Sequence, residues 1–152
     1  MRKMRRSDRA TTAEKAWEIL ENAEYMTLSM MGAEGVPYGV TLSFARVGES
    51  LYFHCANEGY KLDSLRKNPA VCVNAVYQQR TKAEEFTVAF ESAVAFGTAH
   101  EVTEQSEKEQ GLLAICKKYA PENPGAAAYI AQYPQVSVWR IDVTDLSGKI
   151  HD

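Results

Sequence analysis

The sequence predicts an α+β domain, mainly β, in which about six mostly antiparallel strands close, or nearly close, into a barrel with helices inserted between some of them. Three observations predict it. Segments of alternating apolar and polar residues recur along the chain, short glycine turns join the early ones, and stretches of helical spacing separate others. A length of 152 residues with 45% apolar content supports one core and leaves little for a second. Residues 1–152 therefore read as a single domain, with 1–10 as a basic arm.

Taken in order, Thr11 to Glu14 has the form of a capping box, and Ala16, Ile19, Leu20 and Ala23 follow at helical spacing, giving a helix over 12–22. Residues 25–32 form a strand ended by the turn Ala33-Glu34-Gly35. A second strand over 37–47 turns at Gly48-Glu49-Ser50 into the third, Leu51 to His54, so that these three make an antiparallel meander. A helix over 59–67 stops before Pro69, and residues 70–77 are β-branched and apolar. Residues 80–85 are charged and loop-like. Residues 87–102 alternate as one long strand, or two with a bend near Ser92 and Gly97. Helical spacing returns over 104–119, a short helix lies within 121–133 between Pro124 and Pro134, and 135–143 is the closing strand.

The net charge of −3 argues against a general nucleic-acid binder, which would show a basic face. The basic run at residues 1–9 lacks a following apolar stretch and so is not a secretory signal. It reads as a solvated or partner-facing arm, with phosphate binding and targeting as the lesser alternatives. Nothing approaches the ~18 uninterrupted apolar residues of a membrane span. Cys55, Cys72 and Cys116 show no metal-ligand spacing and fit reduced thiols in a cytoplasm. Cys72 and Cys116 read as core residues, and Cys55 as core-facing if its neighbour His54 faces a site.

The junction from Leu51 to Pro69 carries the clearest chemistry. A helix start presents unpaired backbone N–H groups and partial positive charge, so it can hold a phosphate, and Lys61 adds a full charge there. Gly59 would let the backbone approach a ligand closely. Taken alone, His54 is more often structural and Lys61 more often solvated; their combination is what points to a site. Thr41 and Ser43 share a strand face and could bind water or a polar ligand, while Ser92 marks either a strand irregularity or a ligand contact. Trp139 and Arg140 point to opposite faces, one toward an interface and one toward a phosphate. No hydrolase elbow, nucleotide loop or metal cluster is present.

These pieces resemble the FMN-binding split-barrel proteins related to pyridoxamine 5′-phosphate oxidase, within them the nitroimidazole-resistance branch. The matching segments are MRRSDR with its helix, YGVTLSFARVGESLYFHCANEGYKLDSLRKNPAVCVNAV, ESAVAFGTAHEV, the helix ending KKYAP, and VWRIDVTDLSGK. The resemblance implies a six-stranded antiparallel split β-barrel with flanking helices that forms a homodimer, with FMN across the subunit interface. It implies a phosphate grip by Lys61 with Gly59 and Tyr60, a ring contact along Val40, Thr41, Leu42 and Ser43, His54 near the ring, and partner-chain contacts from Trp139 and Arg140.

Two departures shape the functional expectation. Where the oxidase relatives carry Ser-Arg-Lys, this chain reads Gly59-Tyr60-Lys61, so only the lysine carries over as a side-chain ligand. The Arg-x-His loop and Arg-Leu-x-Pro terminus of the oxidases are also absent, which removes the basis for pyridoxamine phosphate oxidation. The resemblance instead implies reduction of a nitroaromatic or other flat small-molecule acceptor, with His54 positioning it or donating a proton. The alternatives are a non-catalytic flavin- or haem-binding protein for storage, sensing or delivery, and a structural dimer without cofactor.

Overall fold

The structure is a computed structural model and describes residues 2–132 and 135–152. It contains strands β1 (Ala10–Thr11), β2 (Met26–Met31), β3 (Pro37–Leu42), β4 (Ala45–Val47), β5 (Ser50–Cys55), β6 (Ala70–Lys82), β7 (Thr87–Glu101) and β8 (Ser137–His151). The helices are α1 (Ala13–Asn22), α2 (Tyr60–Lys67), α3 (Gln105–Tyr119) and α4 (Ala126–Gln132). The strand order is β3-β2-β6-β7-β8-β5-β4, every pairing antiparallel, with β1 added to β8.

The two outermost strands, β3 and β4, are joined only by Ser43 and Phe44. Laid flat, seven strands would separate the edges by about 29 Å at about 4.8 Å per strand. Three Cα steps reach about 11 Å at most. The sheet must therefore curl until its edges meet, and since β3 and β4 are not paired, the barrel stays split there. This corrects the expected meander. Residues 37–47 are not one strand but the two edges of the sheet, paired into separate hairpins with β2 and β5.

The C-terminal end of α3 holds the crossing. Phe44 is fully buried and its backbone N–H donates to the Tyr119 hydroxyl at 3.1 Å, which itself donates to the Glu24 carbonyl. The Lys118 ammonium lies 3.8 Å from the centre of the Phe44 ring, and burial lowers its pKa to about 8.

Inside the barrel, Leu28, Phe53, Val73, Ile141 and Trp139 pack with Ala16, Ile19 and Leu20 of α1, which plugs one end. Helix α1 begins one residue later than the capping-box pattern implied: Thr12 is the N-cap and accepts from the Lys15 N–H at 3.2 Å. Strand β6 continues through the charged stretch to Lys82, past an irregularity between Tyr77 and Arg80, and a 3-10 turn follows at Ala83–Glu85. Strand β7 is unbroken at Ser92; its register slips at Phe96 and Gly97, opposite the extra residue Thr144. Gly97 is required there, because a Cβ would stand 2.4 Å from the Asp142 carbonyl oxygen. Strand β8 runs on to His151, well beyond the expected end at Val143. Cys72 lies half-buried between Ser29 and Phe96 on the outer sheet face rather than in the core. Of the expected helix over 121–133, Tyr133 and the flanking Pro134 lie outside the described residues.

Replacing Tyr119 by Phe removes both hydrogen bonds at the crossing while keeping the ring. The expected loss is about 1–3 kcal/mol for stranding a buried N–H, seen as a lower denaturant midpoint with little change in slope.

Candidate functional site

Helix α2 is locked to the β2–β3 turn. Ser64, fully buried, accepts from the Ala33 N–H at 2.9 Å and donates to the Tyr60 carbonyl at 2.6 Å, while Lys67 donates to the Ala33 carbonyl at 2.7 Å. The Tyr60 ring meets Tyr38 edge-on at 4.9 Å and packs so tightly on Gly32 that a Cβ there would stand 2.4 Å from its hydroxyl. Tyr60 is thus a packing residue that fixes where the helix starts. Gly59 precedes it with φ +136°, in a region that side-chain-bearing residues rarely adopt, and faces open space. The first-turn N–H groups of α2 lack intrahelical acceptors by geometry.

Lys61 is half-buried and its ammonium stands 5.5 Å from the centre of the Phe53 ring. It makes no ion pair among the described residues, and its charge is felt by both His54 and Cys55. Cys55 packs against the barrel core, on the face opposite His54, and burial pushes its thiol pKa up while Lys61 pulls it down. Burial lowers the His54 pKa from its ordinary 6.5, and the Lys61 ammonium lowers it further, so the imidazole is neutral at pH 7. Lys61 thus lies on the Phe53 and Cys55 side of β5, and it reaches His54 on the other face through its charge alone.

Strand β3 starts beside this junction, because Tyr38 touches Tyr60. Val40 and Leu42 turn inward, and Thr41 and Ser43 are exposed. From Tyr38 to Thr41 the strand advances about 10 Å. Being an edge strand, β3 presents alternate N–H and C=O groups with no neighbouring strand. A helix start bearing one lysine and a free strand edge therefore adjoin. The donor set fits a phosphate at one end and a flat polar ring along the other.

The remaining candidates lie elsewhere. Trp139 is 2% exposed; its ring stacks at 6.5 Å on Phe53 and its indole N–H donates to Ser137 at 3.0 Å. It is a core side chain, which corrects its assignment to an interface or to a cofactor. Arg140, on the opposite face, pairs with Glu107 of α3 and with Asp142 at 2.8 Å. Its charge binds α3 to the barrel, correcting its placement toward a phosphate. Ser92 lies on the outer sheet face in a groove of about 1020 Å3, with Arg2, Val94, Phe96 and Lys149. Within one chain that groove shares no lining residue with the space beside His54.

Sequence reasoning missed that space. It is a small enclosed cavity of about 70 Å3, where His54 meets Leu112, Ile115 and Cys116 of α3 and Ile130 of α4. Cys116 had the matching helical phase, but only the packing of α3 and α4 against β5 shows that it shares a cavity with His54.

A family model described as pyridoxamine 5′-phosphate oxidase matches residues 12–150, nearly the whole chain. The chain belongs to the pyridoxamine 5′-phosphate oxidase family. Its fold is that of other family-like split barrels. One is a candidate 5-nitroimidazole antibiotic resistance protein from Bacteroides thetaiotaomicron, with 23% identity over 93% of this chain and 86% of that one, at a TM-score of 0.77. Another is an FAD-binding protein from Mesorhizobium loti, with 21% identity over 95% and 98% and a TM-score of 0.73. A third is the haem storage protein HutZ from Vibrio cholerae, with 15% identity over 88% and 92% and a TM-score of 0.64. No curated protein matches. At these identities the likeness is one of fold, so what this family member binds has to be argued from its own residues.

Because the folded-state pKa of His54 is lowered, the unfolded chain takes up its proton first as pH falls below 6.5. His54 therefore withdraws stability between pH 6.5 and its lower folded value. Proton NMR titration should show the His54 midpoint below 6.5, moving upward in Lys61→Ala because one of its two causes is removed.

Proposed function

We propose that this family member is an FMN-dependent oxidoreductase that passes electrons from a reduced donor to a flat acceptor such as a nitroaromatic. The observation that carries the reading is the adjacency of the α2 start, with Lys61 unpaired by any carboxylate among the described residues, to the free edge of β3. Bound flavin would supply the electron transfer. Lys61 and the first N–H groups of α2 would hold its phosphate, with one side-chain cation where the oxidases have two. Backbone donors from Val40 to Ser43 would meet the ring edge and favour added negative charge there. His54, neutral at pH 7, would orient the acceptor or hand it a proton.

The reading includes a homodimer with FMN between subunits. Met31, Val76 and Phe96 are 42%, 50% and 41% exposed on the outer sheet. Ser92 pairs with Val76 on that same surface, which a second copy would cover. Haem binding is the second reading, favoured by a neutral His54 imidazole beside an apolar cavity and by the haem storage protein among the structural neighbours.

The absorption spectrum of the purified protein, with and without added FMN, separates the readings. Two flavin bands are expected; a Soret band would move the assignment to haem, and no colour with added FMN would end the flavin reading. Lys61→Ala should weaken FMN binding about tenfold or more, the scale of one charge-assisted hydrogen bond. His54→Ala should retain FMN but lower kcat/KM with nitroaromatic acceptors about ten- to hundredfold in steady-state assays. Phe96→Glu should shift the mass by light scattering from dimer to monomer.

A further inference from the structure

The enclosed space beside His54 has a neighbour on the α3–α4 side. A second cleft of about 220 Å3 opens from the same Cys116 and Tyr129 toward Ala120, Asn123 and Ala126. A cavity of about 150 Å3 lined by Leu, Ile and Phe accepts benzene, so the enclosed 70 Å3 alone is too small for a ring, and a ring with one edge on His54 has to extend past Cys116 and Tyr129 into the adjoining cleft. Protein interiors leave few such voids, and α4, which forms the outer wall, buries only Ile130.

The lining chemistry is selective. Neither part is lined by Asp, Glu, Lys or Arg among the described residues. A charged ligand would lose its hydration there without gaining a partner. His54 has no hydrogen-bond partner among the described residues, so its ring nitrogens can meet one donor or acceptor. The hydrophobic walls come from both helices: Leu112 and Ile115 of α3, and Ile130 of α4.

We propose that this α3–α4 space binds one small, flat, uncharged aromatic molecule, its polar edge on the His54 imidazole and its ring between Cys116 and Tyr129. Binding there requires no flavin. Only its use as the acceptor pocket during turnover rests on the oxidoreductase reading.

Benzimidazole serves as the probe, and alkylation of Cys116 by N-ethylmaleimide, resolved by peptide mass spectrometry, reports occupancy without any redox step. Glutathione added to the same sample is the internal control for the reagent. Saturating benzimidazole should slow Cys116 labelling about fivefold or more and leave glutathione labelling unchanged, whereas benzoate should change neither. His54→Phe should weaken benzimidazole protection about tenfold, the scale of one hydrogen bond. Ala126→Trp, which fills the cleft from α4 without touching the barrel, should abolish it. No protection of Cys116, equal protection by benzoate, or undiminished protection in both variants would overturn the proposal. FMN binding, titrated separately by absorbance, is a distinct readout, so either idea can fail while the other stands.

Discussion

The two-residue crossing at Ser43 and Phe44 governs the rest of the architecture. Two residues cannot span a flat seven-stranded sheet, so the crossing forces closure. It also prevents β3 and β4 from completing the ladder. Closure makes the core, and the incomplete seam leaves β3 with a free edge. Holding such a seam needs an outside clamp, which α3 provides through the Tyr119 hydroxyl on the Phe44 N–H and Lys118 over the Phe44 ring. The ion pair between Arg140 and Glu107 fixes the same helix further along.

That clamp also shapes the candidate site. Because α3 is tied at both places, its Leu112, Ile115 and Cys116 are carried over β5, opposite His54. Helix α2 is set independently, by Ser64 on Ala33 and Tyr60 on Gly32, so Lys61 arrives from the other side. His54 lies where the two arrangements meet. Its pKa is lowered by desolvation first and by the neighbouring ammonium second.

Most of the elements were legible because strand alternation and helical spacing are local patterns. The break after Leu42 was not. Tyr38, Val40, Leu42 and Phe44 keep the same inward phase straight through it, and neither glycine nor proline marks the crossing. What changes at Ser43 is the hydrogen-bonding partner, and partners are not written in period-two patterning. The same limit affected Trp139 and Arg140. Their opposite faces followed from alternation, but which face was core and which lay under α3 depended on the neighbouring strands β5 and β7.

By itself, the sequence determined the family, the mainly β architecture and the junction in which His54, Gly59 and Lys61 lie close, since all of these rest on residues near one another in the chain. Tertiary structure decided where the barrel splits and that Tyr60 packs on the β2–β3 turn. It also assigned Trp139 to the core and Arg140 to α3, and gave His54 an apolar space walled by helices more than fifty residues away. Those outcomes depend on long-range closure and on competition among side chains for the same volume, which no local pattern encodes.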